Sequence, residues 1–179
     1  MKRYAITTLY SVILSSLLLG ACSSPASIEK ELNVSTELHE ENGSHHEAEH
    51  GASGDLQEST ASLDILPAFL DNAAPSLLTA YQTAATVTDI LAFIPCYCGC
   101  GESAGHKSNL NCFIAEIKED GSVVWDDHST RCSVCIEIAV TTAAMKSAGI
   151  ETERIRTIID ETYKEGYAKP TLTELPPAS

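Results

Sequence analysis

Polar and apolar residues fall in long separate blocks along this chain. Residues 4–19, YAITTLYSVILSSLLL, carry no charge and follow Lys2 and Arg3. A basic start, a short apolar run and small residues at its end predict a secretory signal over 1–21, too short for a membrane span. Residues 23–62 are polar, with few branched or aromatic side chains, and offer too little apolar surface to offset the entropy of ordering. They read, with Cys22, as a disordered, acidic and His-rich tether over 22–62. The apolar pattern resumes at Leu63 and runs to Tyr167, enough for one compact domain of roughly 100 residues. The remainder, 168–179, reads as a flexible tail.

Within 63–167 the pattern is mostly helical. Leu77, Leu78, Tyr81 and Ala85 share one helical face after Pro75, a favoured first helical residue, and the helix or pair of helices must end before Pro95. Phe113, Ala115 and Ile117 stand at alternate positions, and Asp120-Gly121 separates them from 123–125. A short hairpin is the reading, with a helix over 113–118 as the alternative. Ser129 or Thr130 can cap a helix running to Gly149, and a last helix places Ile155, Ile158, Ile159, Thr162 and Tyr163 on one face before Gly166. The expected fold class is mainly α: a small helical domain with a cysteine-rich loop and a short β-hairpin.

Charge and targeting place this domain. Leu19-Gly20-Ala21-Cys22 resembles the lipobox of bacterial lipoproteins, which implies cleavage before Cys22 and lipid on its sulfur, hence an extracytoplasmic protein anchored to a membrane. Removing residues 1–21 takes two bases and no acid, so nine basic residues face 25 acidic ones, a net of −16. Such a surface excludes nucleic acid as a partner and attracts cations. Anchoring then falls to acyl chains, not to a basic patch.

Six cysteines remain beyond Cys22: Cys96, Cys98, Cys100, Cys112, Cys132 and Cys135. Three disulfides are one reading in an oxidising compartment. Against it, cysteines one residue apart in an extended segment point to opposite sides, so PCYCGC should not close on itself. Cys132 and Cys135 share a helix face, where thiolate character suits chelation or exchange. Soft thiolates select copper(I) or zinc, and Gly99 and Gly101 let a loop wrap closely around Cys100. His106 and His128 bring the candidate metal ligands to eight, too many for one tetrahedral ion, so two ions, or one ion plus a disulfide or redox pair, are expected. His39, His45, His46 and His50, among glutamates, can capture ions loosely ahead of that site. No phosphate loop or C-x-x-C-H is present.

At PCYCGCG, His106, Asn109, Cys112-Phe113, Trp125-Asp126, His128 and Cys132-Ser-Val-Cys135, the chain resembles the bacterial lipoproteins grouped by their PCYCGC motif. That resemblance spans roughly 66–167 and implies an anchored, cysteine-rich domain. RCSVC followed by an Ala-rich helix, Gly149 and a second helix to Tyr163 is also similar to the thiol-reductase subunit of cytochrome c maturation, from which the chain departs in its four further cysteines. The expected function is binding of copper or zinc for storage, sensing or handover to a membrane metalloprotein or exporter. The alternatives are a thiol-disulfide oxidoreductase using Cys132 and Cys135, and a structural disulfide-bonded interaction module.

Overall fold

A computed structural model describes residues 48–51 and 53–177. The anticipated hairpin is present, with β3 (Ile114–Ile117) antiparallel to β4 (Val123–Asp126). Its turn is closed by Gly121 at φ 87° and by Asp120 Oδ1, which accepts from Ser122 N–H at 2.9 Å. The hairpin is half of a larger sheet, however. β1 (Ala48–His50) and β2 (Leu56–Thr60) extend it in the order β1-β2-β4-β3, every neighbour antiparallel.

The fold is therefore α+β, which corrects the mainly α expectation. The reason lies in β2. LQEST has one apolar residue, yet its alternate positions Glu58 and Thr60 are buried. The Glu58 carboxylate accepts from the backbone N–H of Ala68 (2.7 Å) and Phe69 (3.2 Å), and Thr60 Oγ1 accepts from Trp125 Nε1 (2.8 Å). Buried polar groups that find partners can occupy a core face, and hydropathy alone does not reveal them. Residues 48–51 and 53–62, read as tether, thus contribute two strands of the sheet. The signal over 1–21, Cys22, and His39, His45 and His46 lie outside the described residues.

The described helices are α1 (Pro75–Ala85), α2 (Thr88–Leu91), the short α3 (Gly101–Ala104), α4 (Ser133–Ser147) and α5 (Thr152–Thr162). Tyr81 of α1 meets Phe113 and Trp125 at ring-centroid distances of 5.1 and 6.1 Å, and its hydroxyl donates to Asp126 O at 2.7 Å. This aromatic cluster joins the two layers. α4 packs between α1 and α5 and ends at Gly149 (φ 76°), where Ile150 N–H returns to Met145 O at 3.1 Å. Ile155 and Ile159 of α5 are fully buried, as their spacing predicts. No helix among the described residues is long and apolar enough to cross a membrane.

The tail also differs from the loose segment expected. Ala168 N–H donates to Tyr97 O (3.2 Å), Thr171 N–H to Cys96 O (3.1 Å), and Thr171 Oγ1 accepts from Cys96 N–H (2.9 Å). Arg156 of α5 donates to Thr173 Oγ1 at 2.8 Å and Glu174 O at 3.2 Å. Residues 168–174 are thereby a strap across the cysteine loop, held by backbone groups and threonine hydroxyls that carry no hydropathic signature.

Candidate metal centre

Ile94 and Pro95 bring the chain out of the helical layer, and Ile94 O accepts from Asn109 N–H at 2.7 Å. Tyr97 is buried, donates to Asp160 Oδ1 at 2.6 Å and stacks on Tyr163 at 5.5 Å, which pins the loop to α5. Gly99 takes φ 84°, a conformation that side chains other than glycine disfavour. This left-handed turn defeats the alternation expected of an extended segment. Cys98 and Cys100 face one another and are disulfide-bonded, which corrects the expectation that PCYCGC has no internal bond. Gly101 is required on other grounds, since a Cβ there would overlap the Thr171 side chain of the strap.

The other sulfurs converge from three elements. Cys112 ends a 3-10 turn over Asn109–Cys112, opened by a reciprocal pairing of Ser108 and Asn111. Cys132 is the N-cap of α4, in place of the Ser129 or Thr130 anticipated, and Cys135 lies one turn in. Asn109 Nδ2 donates to Cys135 O at 3.3 Å, holding the helix start against the turn. Cys96, Cys112 and Cys135 are all buried, with Sγ separations of 3.8 Å (Cys96 to Cys112), 3.8 Å (Cys96 to Cys135) and 3.2 Å (Cys112 to Cys135).

Around this inner trio lies a half-buried set, Cys98, Cys100, His128 and Cys132. Cys98 Sγ is 2.9 Å from Cys96 Sγ, and Cys100 Sγ is 2.9 Å from His128 Nε2. The other nitrogen, Nδ1, lies 3.2 Å from Asp55 Oδ2. A third set shares His128: Asp55, His106, Asp126 and His128 have ligand atoms within 4.8 Å of one another. All eight ligands proposed from sequence are therefore gathered at one end of the domain, in three contiguous groups. Asp127, by contrast, is taken up by Arg131 at 2.6 Å and by Leu56 N–H at 2.9 Å.

Electrostatics divide the thiols. Hydrogen bonds from Cys112 and Cys135 hold Cys96 down to about 3, despite its burial. Cys112 is itself raised: a hydrogen bond from Cys135 pulls it down, but its own bond to Cys96, burial and the Cys96 charge outweigh that. Cys135 is raised by its bonds to Cys112, Cys132 and Cys96. Within the inner trio, Cys96 is therefore the thiol most disposed to ionise. Cys132 is lowered to about 6, chiefly by a hydrogen bond from Cys135. The two helix-start thiols, both expected to have thiolate character, thus shift in opposite directions. Arg131 turns to Asp55 and Asp127, at 2.6 Å each.

A family model described as "Protein of unknown function with PCYCGC motif" matches residues 11–176. The chain belongs to the PCYCGC family. No curated protein and no solved structure matches it. The motif that defines the PCYCGC protein is thus the loop that supplies sulfurs to both cysteine sets. The centre is cysteine-rich, with groups that can hold a metal ion. Asp55 and Thr171 were missed, because they come from segments read as tether and tail. Asp126 is buried beside His128 and accepts from its backbone N–H at 2.9 Å. His50, exposed in β1, joins none of the three groups among the described residues.

Proposed function

We propose that this PCYCGC protein is a soft-metal binding protein, copper(I) first and zinc second. In this reading it is anchored outside the cytoplasm by lipid on Cys22 and serves storage, sensing or handover to a membrane metalloprotein or exporter. The observation that carries the metal reading is the buried trio Cys96, Cys112 and Cys135. Three sulfurs about one ion at metal–sulfur bonds of about 2.3 Å lie roughly 3.8–4.0 Å apart; two of the three separations here are 3.8 Å. An odd number of buried sulfurs meeting at a point is a poor design for disulfides, which pair. The half-buried outer set, with its partly exposed Cys132, suits exchange with a partner. Metal analysis of protein purified without reductant or added metal tests this reading. Stoichiometric copper or zinc is the expected result. Its absence, together with disulfides engaging Cys96, Cys112 and Cys135, would overturn it.

A second reading, thiol-disulfide exchange, is favoured by the Cys98–Cys100 disulfide and by the lowered, partly exposed Cys132 beside the buried Cys135. It expects Cys132→Ser to abolish disulfide reduction in a folded protein. Loss of bound metal and of the fold in that variant would count against it.

A further inference from the structure

Three donor sets of different hardness lie end to end. At one end are two imidazoles and two carboxylates: His106, His128, Asp55 and Asp126. At the other are the three buried sulfurs. Cys98 and Cys100 connect them, the first 2.9 Å from Cys96 Sγ and the second 2.9 Å from His128 Nε2. A cleft of about 580 Å³, lined by Cys96, Gly101, His106 and Thr171 among others, reaches both ends.

Holding a soft ion needs only the sulfur end. It leaves unexplained why His106 is 8% exposed with its Nδ1 lacking any hydrogen-bond partner. Nor does it explain why two sulfurs between the ends are oxidised together while the other four are free. Imidazole and carboxylate suit Cu(II), whereas grouped thiolates suit Cu(I). The order of the sets is therefore the order of the two oxidation states of copper.

We infer that the protein captures copper reductively: Cu(II) enters at the His106/Asp55 end, the Cys98/Cys100 pair supplies the electrons, and Cu(I) passes to the inner sulfurs. This rests on the metal-binding reading above and adds a substrate state and a reaction to it. Two Cu(II) ions accept one electron each. The S–H bonds of Cys98 and Cys100 break, one S–S bond forms between them, and two protons leave to water through the cleft. The products are two Cu(I), one disulfide and two protons, with no other oxidant needed. One Cu(I) is held by Cys96, Cys112 and Cys135; Cys132 and His128, the members of the outer set that the disulfide leaves free, take the second. The disulfide-bonded loop is then the spent form, and each disulfide records one round of capture.

The test is anaerobic titration of the fully reduced, metal-free chain with Cu(II), followed by electron paramagnetic resonance, a Cu(I)-specific chelator and peptide mapping of disulfides. The Cu(II) signal should vanish for the first two equivalents, Cu(I) should appear in equal amount, and the new disulfide should map to Cys98–Cys100. Reduction should slow at least about tenfold in a Cys98→Ser/Cys100→Ser double variant and in His106→Ala. A persistent Cu(II) signal, a disulfide mapping to Cys132–Cys135, or a double variant as fast as the parent would overturn the inference. Direct titration of the parent with Cu(I) separates the two ideas. Binding of Cu(I) without reduction of Cu(II) removes this inference alone, while failure to bind Cu(I) or zinc removes the proposed function.

Discussion

Replacing Cys112 with serine probes the inner seat most directly. The side chain is fully buried, with Sγ 3.2 Å from that of Cys135 and 3.8 Å from that of Cys96. Serine keeps the shape and removes the soft donor, leaving two sulfurs where three met. Structural zinc in four-ligand sites contributes roughly 10–16 kcal/mol, so one thiolate accounts for roughly 3 kcal/mol, about a hundredfold in affinity. The buried hydroxyl also weakens the metal-free fold, by about 1–3 kcal/mol if it finds no partner. The two effects separate experimentally. Competition against a chelator of known Cu(I) affinity reads the first, and urea unfolding of metal-free protein reads the second. The expected result is a roughly hundredfold weaker Cu(I) complex in a chain that still folds. An unchanged affinity would show that the buried trio is not the seat.

Other outcomes follow from the same geometry. Cys132, held at about 6 against the usual 9.0, should be the thiol most readily alkylated in metal-free protein at neutral pH, with a rate falling as pH drops through about 6. The sign carries over to stability: a depressed thiol stabilises the fold fully above about pH 9 and loses that contribution as pH falls through about 6. Alkylation that accelerates only near pH 9 would contradict the assignment. Truncation after Tyr167 removes the strap and its hydrogen bonds to Cys96 and Tyr97, so Cys96 should become open to alkylation. Equal protection in the full and truncated chains would refute that role. Glu58→Ala should cost about 2–3 kcal/mol in urea unfolding, because two backbone N–H donors lose a buried carboxylate. A neutral effect would place β2 outside the cooperative unit.

How far the sequence could be read depends on what each element uses for its stability. α1, α4 and α5 bury apolar residues at helical spacing, so all three were legible, and Gly149 takes positive φ just past α4; α5, however, ends at Thr162, well before the Gly166 expected to close it. The β3–β4 hairpin announced itself by the Asp120-Gly121 turn, although on β3 it is Ile114 that is buried while Ile117 is exposed. β2 did not, since its inward positions are Glu58 and Thr60, whose burial depends on partners 10 or more residues away. The strap was invisible for a related reason: its bonds to Cys96 and Tyr97 run largely through backbone atoms.

For the site, the sequence by itself named the cysteine and histidine candidates. Thiol and imidazole chemistry belongs to residue types and survives any fold, so six cysteines and two histidines could be named before their positions were known. Only the tertiary structure decided how they divide. One left-handed residue, Gly99, turns Cys98 towards Cys100 and leaves Cys96 to meet Cys112 and Cys135 from 16 and 39 residues away. Asp55 reaches His128 across 73 residues, through the pairing of β2 with β4. Hydropathy and spacing are local properties. Partition of ligands between a buried soft seat and a harder rim is a property of contacts that close only when sheet and helices pack.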